Sequence, residues 1–230
     1  MTSLTYARRR GQLEQYFDRT AVDAWKRLTS DAPVSGIRAT VRAGRDAMRA
    51  TLLGWLPDDL HGRRVLDAGC GTGALAVEAA RRGADVTAID LSATLVDLAR
   101  QRAPHDLHID FCVGDMTDGA LGQFDHVVGM DSLIHYNADD MADAVARLSA
   151  RAERSLLFTF APRTAMLSVM HAAGRLFPRG DRAPAIEPVG PRAIARRLAA
   201  HSDLAGWQQA RTRRIATGFY TSQALELVRQ

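Results

Sequence analysis

The run Val65-Leu66-Asp67-Ala68-Gly69-Cys70-Gly71-Thr72-Gly73 restricts the possible fold more than any other stretch of the chain. Val65 and Leu66 follow a charged lead-in and predict the end of a short buried strand. Leu75, Ala76, Ala79 and Ala80 recur at helical spacing, so the glycines fall in a strand-to-helix turn. Glycines let the main chain turn tightly and let a ligand approach it without meeting a Cβ, while the free N–H groups of the following helix face that ligand. A nucleotide is the expected occupant.

Two ligand classes use such a loop. Gly69, Gly71 and Ala74 satisfy the spacing of a dinucleotide site. Asp67, just ahead of the first glycine, favours S-adenosylmethionine (SAM): a carboxylate there repels a pyrophosphate but attracts an ammonium and a sulfonium. Val86 to Ile89 predicts a second strand ending in Asp90-Leu91, about 20 residues after the first glycine, where a carboxylate can accept both hydroxyls of a ribose. Helix capping is the other reading of Asp90, and Ser92 is the better-placed cap.

Strand and helix then alternate, which predicts an α/β fold with a mostly parallel sheet and helices on both faces. Further strands are expected at Leu107–Val113, Phe124–Met130 and Ser155–Phe160, with a helix over Asp139–Arg151. Polar clusters follow each strand: Gly114-Asp115-Met116, then Asp131 to Tyr136. That is the edge where open α/β sheets bind ligands. Trp207–Ile215 and Ala224–Val228 predict a C-terminal hairpin around Gly218, after a helix from Pro191 to about Leu204.

The first 60 residues predict a helical cap on a domain spanning 61–230. Residues 4–17 are helical and close on Tyr16-Phe17, and Trp25 and Leu28 add a second apolar face. Ile37, Val41, Met48, Leu52 and Trp55 keep a 3.6 period within Val34–Trp55. Arg38, Arg42, Arg45 and Arg49 run along that helix beside the apolar stripe, where some can face an anion and at least two are expected on a solvated basic face. Residues 163–190 predict an insertion on the substrate side: an amphipathic helix with Met166, Met170 and Phe177, then a proline- and glycine-rich loop that is either a lid or disordered.

Charge is distributed unevenly, and this bears on ligands more than the net +4 does. Residues 61–160 carry 9 basic and 15 acidic side chains, against 10 and 7 before them and 11 and 4 after. A cationic cofactor suits the middle, and an anionic substrate, nucleic acid or lipid surface suits the flanks. No apolar run reaches the length of a membrane span and the arginine-studded start lacks a signal-peptide core, so a cytoplasmic protein is expected. Cys70 and Cys112 lack the spacing of a zinc site, and no metal is expected.

Val65 to Gly73, Asp90, Gly114-Asp115-Met116 and Phe124 to Asp131, in this order, resemble the class I SAM-dependent methyltransferases, a Rossmann-like fold whose last two strands form an antiparallel hairpin at the sheet edge. Tyr16-Phe17, Trp25-Lys26-Arg27-Leu28, Arg42-Ala43-Gly44, Met130 to Tyr136 and Thr159-Phe160-Ala161-Pro162 narrow the resemblance to the magnesium-protoporphyrin IX methyltransferases of the bacteriochlorophyll pathway. The resemblance implies SAM as cofactor. Asp67, Gly69 and Gly71 would lie along its methionine part, Asp90 would bind the ribose, Asp115 would meet the adenine amine and Met116 would pack on the adenine. Leu91 and Asp131 would join this set, Arg42 would pair with the cofactor carboxylate, and Tyr16 and His135 would serve catalysis.

The implied reaction is esterification of one propionate of a magnesium porphyrin, with a magnesium chelatase subunit as a possible donor of substrate and peripheral contact with a membrane. Methylation of another anionic small molecule, such as a quinone precursor, is the alternative. Nucleic acid is not an expected partner despite a sequence pI near 9.6: the Asn-Pro-Pro-Tyr type of motif for base amines is missing, and so is a cysteine after proline for attack on a pyrimidine ring.

Overall fold

The structure, a computed structural model, describes residues 3–19, 36–163 and 186–230. The expectations for Trp25, Leu28, the helix around Met166 to Phe177 and most of the 178–191 loop lie outside the described residues. Within them the elements run α1 (Leu4–Arg19), α2 (Gly36–Leu53), β1 (Arg64–Ala68), α3 (Ala74–Arg81), β2 (Asp85–Asp90), α4 (Ala93–Arg102), β3 (Ile109–Val113), β4 (Phe124–Gly129), α5 (Ala138–Ser149), β5 (Ala152–Phe160), α6 (Pro191–Ala200), β6 (Trp207–Thr217) and β7 (Tyr220–Arg229).

The seven strands form one sheet in the order β3-β2-β1-β4-β5-β7-β6. The first five are parallel, and β7 lies antiparallel between β5 and β6. Strand order reverses between β1 and β4, so the loops leaving these two strands diverge and open a crevice. Alternation along each strand feeds two cores. Leu66, Val127, Leu156 and Phe158 pack with α1, α5 and α6 on one face. Val65, Val128 and Leu157 pack with α2, α3 and α4 on the other. Met48 and Leu52 of α2 are fully buried there, so residues before 60 share a core with the sheet.

Several boundaries differ from the sequence reading for local reasons. Ile37, expected on the apolar stripe of α2, is 57% exposed, and burial on that helix begins at Gly44. Trp55 follows the helix and carries the Arg211 guanidinium over its ring. β3 begins at Ile109 because the Leu107 N–H is turned back onto the Pro104 carbonyl. α5 begins at Ala138 because the Asn137 side chain accepts from the N–H groups of Asp139 and Asp140, a capping role that asparagine performs well. The C-terminal helix stops at Ala200 and continues as a short 3-10 turn, Ser202–Leu204.

Candidate active site

The crevice is a cavity of about 420 Å³. Its floor begins at the glycine turn. Gly69, Gly71 and Gly73 all have positive φ, and two of them do different work. A Cβ on Gly69 would lie 2.4 Å from the Ser132 Cβ, so glycine lets the loops after β1 and β4 touch. A Cβ on Gly71 would meet nothing within 4 Å and would occupy open space at the cavity wall.

Two carboxylates are bonded into this turn. The Asp67 Oδ2 accepts the Ala76 N–H at 3.1 Å in the first turn of α3, where the helix dipole favours negative charge. Burial nevertheless pushes the Asp67 carboxyl up to about 7, against the Ala76 hydrogen bond and with help from the charge of Asp90. Asp90 accepts the Gly71 N–H at 2.8 Å on one oxygen and the Ser92 N–H at 3.0 Å on the other, while Ser92 caps α4 through Leu95. Each Asp90 oxygen retains acceptor capacity for a ligand diol. Burial raises its pKa, opposed by those main-chain bonds.

Asp115, after β3, has partners that lie far from it in sequence. Its Oδ1 accepts the Tyr6 hydroxyl at 3.0 Å together with the N–H and hydroxyl of Thr117, and its Oδ2 accepts Arg10 at 2.8 Å. Burial raises the Asp115 pKa, but these donors outweigh it and hold the group below the ordinary range. Tyr6 stacks on Tyr136 with centroids 4.7 Å apart, and burial followed by the Asp115 charge pushes its hydroxyl up to about 12.

Of the residues singled out from sequence, Arg42, Asp67, Gly69, Gly71, Asp90, Leu91, Asp115, Met116, Asp131 and His135 all border this one cavity. Tyr16 does not. It stands beside Phe17 on α1, edge-on at 5.2 Å, and it is Phe17 that lines the cavity and meets the His135 ring at 6.2 Å. Successive residues of a helix point about 100° apart, so a turn of α1 that directs Phe17 inward directs Tyr16 aside. Arg42, Arg45 and Arg49 of α2 form a basic wall, Arg45 paired with Asp131 at 2.7 Å and Arg49 with Asp46 at 2.8 Å. Cys70 also borders the cavity, but burial raises its thiol well above the usual value, which keeps it protonated.

Sequence reasoning missed Tyr6 and Arg10, whose only local signal is their spacing of four on one helix face. The site as built offers hydroxyl acceptors, negative charge for a cation, and arginines for an anion.

A family profile described as "Magnesium-protoporphyrin IX methyltransferase C-terminus" matches residues 129–229, and one described as "Methyltransferase domain" matches residues 65–153. A magnesium-protoporphyrin O-methyltransferase of Rhodobacter capsulatus is 50% identical over 96% of this chain and 97% of its own length. A ubiquinone biosynthesis O-methyltransferase of Xanthomonas oryzae is 36% identical over 71% of this chain and 70% of its own. Among solved structures, the magnesium protoporphyrin IX methyltransferase of Synechocystis with bound S-adenosylhomocysteine superposes with a TM-score of 0.81 at 30% identity, covering 96% of this chain and 99% of that one.

Proposed function

The chain belongs to the magnesium-protoporphyrin O-methyltransferase family, and from that premise we propose which residues run the reaction and in what roles. The enzyme is a SAM-dependent carboxyl O-methyltransferase that esterifies a propionate of magnesium protoporphyrin IX to the monomethyl ester, a step of chlorophyll-type pigment synthesis. The observation that carries this reading is one cavity holding carboxylates on the glycine-turn side and three arginines along a single helix.

Bound SAM supplies an activated methyl group whose carbon–sulfur bond breaks, with its electrons, toward a neutral thioether. Asp90 accepts the ribose hydroxyls beside Leu91, and Asp115 and Met116 take the adenine. Asp67, ionised by the approaching cation, faces the sulfonium end. Arg42 pairs with the cofactor carboxylate, and Asp131, already bonded to neighbouring side chains, shapes that end of the cavity. Gly71 leaves the space that a Cβ would fill.

A propionate with a pKa near that of glutamate, about 4.3, is ionised at neutral pH, so it attacks through its own lone pair and needs no base. His135 donates a hydrogen bond that aims it, Arg49 holds negative charge at the rim, and Phe17 excludes water. Tyr16 supports Phe17 from behind. Holding both reactants in line contributes up to roughly 7 to 11 kcal/mol. A quinone precursor with a phenolic acceptor would require deprotonation, which this set of roles does not supply.

We assign the substrate side to the 1–60 cap and the 163–190 segment, with the basic flanks resting on an anionic membrane and a chelatase subunit handing over the porphyrin. No described helix is long and apolar enough to cross a membrane. Incubation with methyl-labelled SAM tests the activity: label should appear on magnesium protoporphyrin as a base-labile ester and not on a catechol. Transfer to the catechol in preference to the porphyrin would overturn the assignment. Binding to vesicles should require anionic lipid and fade with added salt.

A further inference from the structure

The C-terminal hairpin reaches the cavity through Tyr220 and Ser222, two side chains that do not line it, and Tyr220 is the closer. Tyr220 opens β7 and packs against α2 so closely that a Cβ on Gly44 would lie 2.4 Å from its ring. Its hydroxyl donates to Asp131, 3.0 Å from one carboxylate oxygen and 3.2 Å from the other. Arg45, next to Gly44, reaches the same carboxylate at 2.7 Å, and the Ser222 hydroxyl is 3.4 Å away. Thr159 of β5 accepts the Asp131 N–H at 2.8 Å and donates back to its carboxylate at 3.2 Å. One carboxylate therefore joins α2, β5 and β7 at the end of β4.

Asp131 is also the one non-glycine with positive φ, 56°, among the described residues. Aspartate tolerates the left-handed region better than most residues, but the conformation persists only where neighbours over-determine it. The turn it makes leads directly into Ser132 to Tyr136, and Ser132, Ile134, His135 and Tyr136 all border the cavity. We propose that Tyr220 is a positioning residue for methyl transfer: acting through Asp131, it fixes the left-handed turn that presents His135 to the acceptor carboxylate. The role given to His135 rests on the function proposed above, whereas the clamp on Asp131 stands on geometry alone.

Tyr220→Phe keeps the ring against Gly44 and removes only the hydroxyl. With magnesium protoporphyrin as acceptor, kcat should fall about tenfold, the loss expected when an aligned group drifts by a fraction of an ångström. The KM for SAM should stay within about twofold, because the Asp67 and Asp90 turn is untouched, and Tm should fall by only a few degrees, since Asp131 keeps Arg45, Thr159 and Ser222. In an Asp131→Gly background, which keeps the left-handed turn but removes the acceptor, Tyr220→Phe should cost nothing further, since the two act as one unit. An unchanged kcat, a fall that tracks Tm, or additive losses would overturn the proposal.

A second readout does not need turnover. The His135 imidazole resonance, assigned through His135→Gln, should shift in Tyr220→Phe while that of His126, bonded to Ser155 within the sheet, stays in place. An unshifted His135 resonance counts against the clamp. A wild type that binds SAM yet fails to methylate the porphyrin counts against the function and leaves this spectroscopic arm to decide.

Discussion

The glycine-turn wall and the Asp131 wall of the cavity are built in opposite ways. On the first, the bonds from Ala76 to Asp67, Gly71 to Asp90 and Ser92 to Asp90 span 9, 19 and 2 residues. On the second, Asp131 gathers Thr159 from 28 residues away, Arg45 from 86, Tyr220 from 89 and Ser222 from 91. The donors of the first wall are main-chain N–H groups held by two consecutive strand-turn-helix units. The donors of the second are side chains from three elements whose packing must already be correct. Ribose anchoring at Asp90 should therefore be insensitive to distant changes, while acceptor alignment, and with it the reach of Arg42 to the cofactor carboxylate, should depend on the seating of α2 and the hairpin.

The largest effect should come from the local wall. Asp90→Ala removes the proposed ribose acceptor and also leaves the Gly71 and Ser92 N–H groups without theirs. Loss of about 3 kcal/mol, roughly a hundredfold in the Kd for SAM, is expected by calorimetry. A change below threefold would mean that this turn is not the cofactor's anchor.

Gly44→Ala sharpens the contrast from the other side. The added methyl collides with the Tyr220 ring, and overpacking of this kind costs about 2 kcal/mol, lowering Tm by roughly 4 to 8 °C. The SAM Kd of the folded variant should rise less than turnover falls, because the Asp90 anchor is untouched and only Arg42 shares the displaced helix. Equal losses of both would merge the two walls into one.

A smaller effect follows from pH. Asp67 holds a proton up to about pH 7 in the ligand-free cavity, and a cationic ligand favours its ionised form. SAM should bind about tenfold more weakly at pH 6 than at pH 8, with proton uptake by the buffer on binding, and Asp67→Asn should flatten that dependence. For the fold the sign runs the other way. A raised carboxyl pKa contributes stability below the ordinary carboxylate range and loses it as pH rises through about 7, so Asp67→Asn should gain Tm over wild type at pH 8 more than at pH 5. A pH-independent Kd in wild type would show that Asp67 is ionised before the ligand arrives.

The same contrast explains what was legible in the sequence. Asp67, Gly69, Gly71 and Asp90 stand at spacings set by one turn and one strand, so pattern alone finds them. The parallel strands and the hairpin around Gly218 follow from alternation, whereas the order of the strands in the sheet came only with the fold. Tyr6 and Arg10 were not found because their target, Asp115, lies more than 100 residues away. Tyr220 falls between the two strands expected at Trp207–Ile215 and Ala224–Val228, and only the longer β7, Tyr220–Arg229, brings it over Gly44, although a glycine inside a long helix already signals a close approach. Tyr16 and Phe17 differ by one position, and only the seating of α1 decides which of them faces the cavity.

Methyl transfer by alignment, without a base, is the chemistry proposed for this cavity. Single-turnover transfer from saturating SAM to magnesium protoporphyrin, followed from about pH 5.5 to 8.5 in wild type and His135→Gln, tests it most directly, because saturation removes the linkage through Asp67. Both proteins should give flat profiles, with glutamine, which can still donate to a carboxylate, retaining activity within about tenfold and alanine falling well below it. A wild-type profile that titrates near pH 6.5, together with a glutamine variant as inactive as alanine, would make His135 a general base and contradict the account.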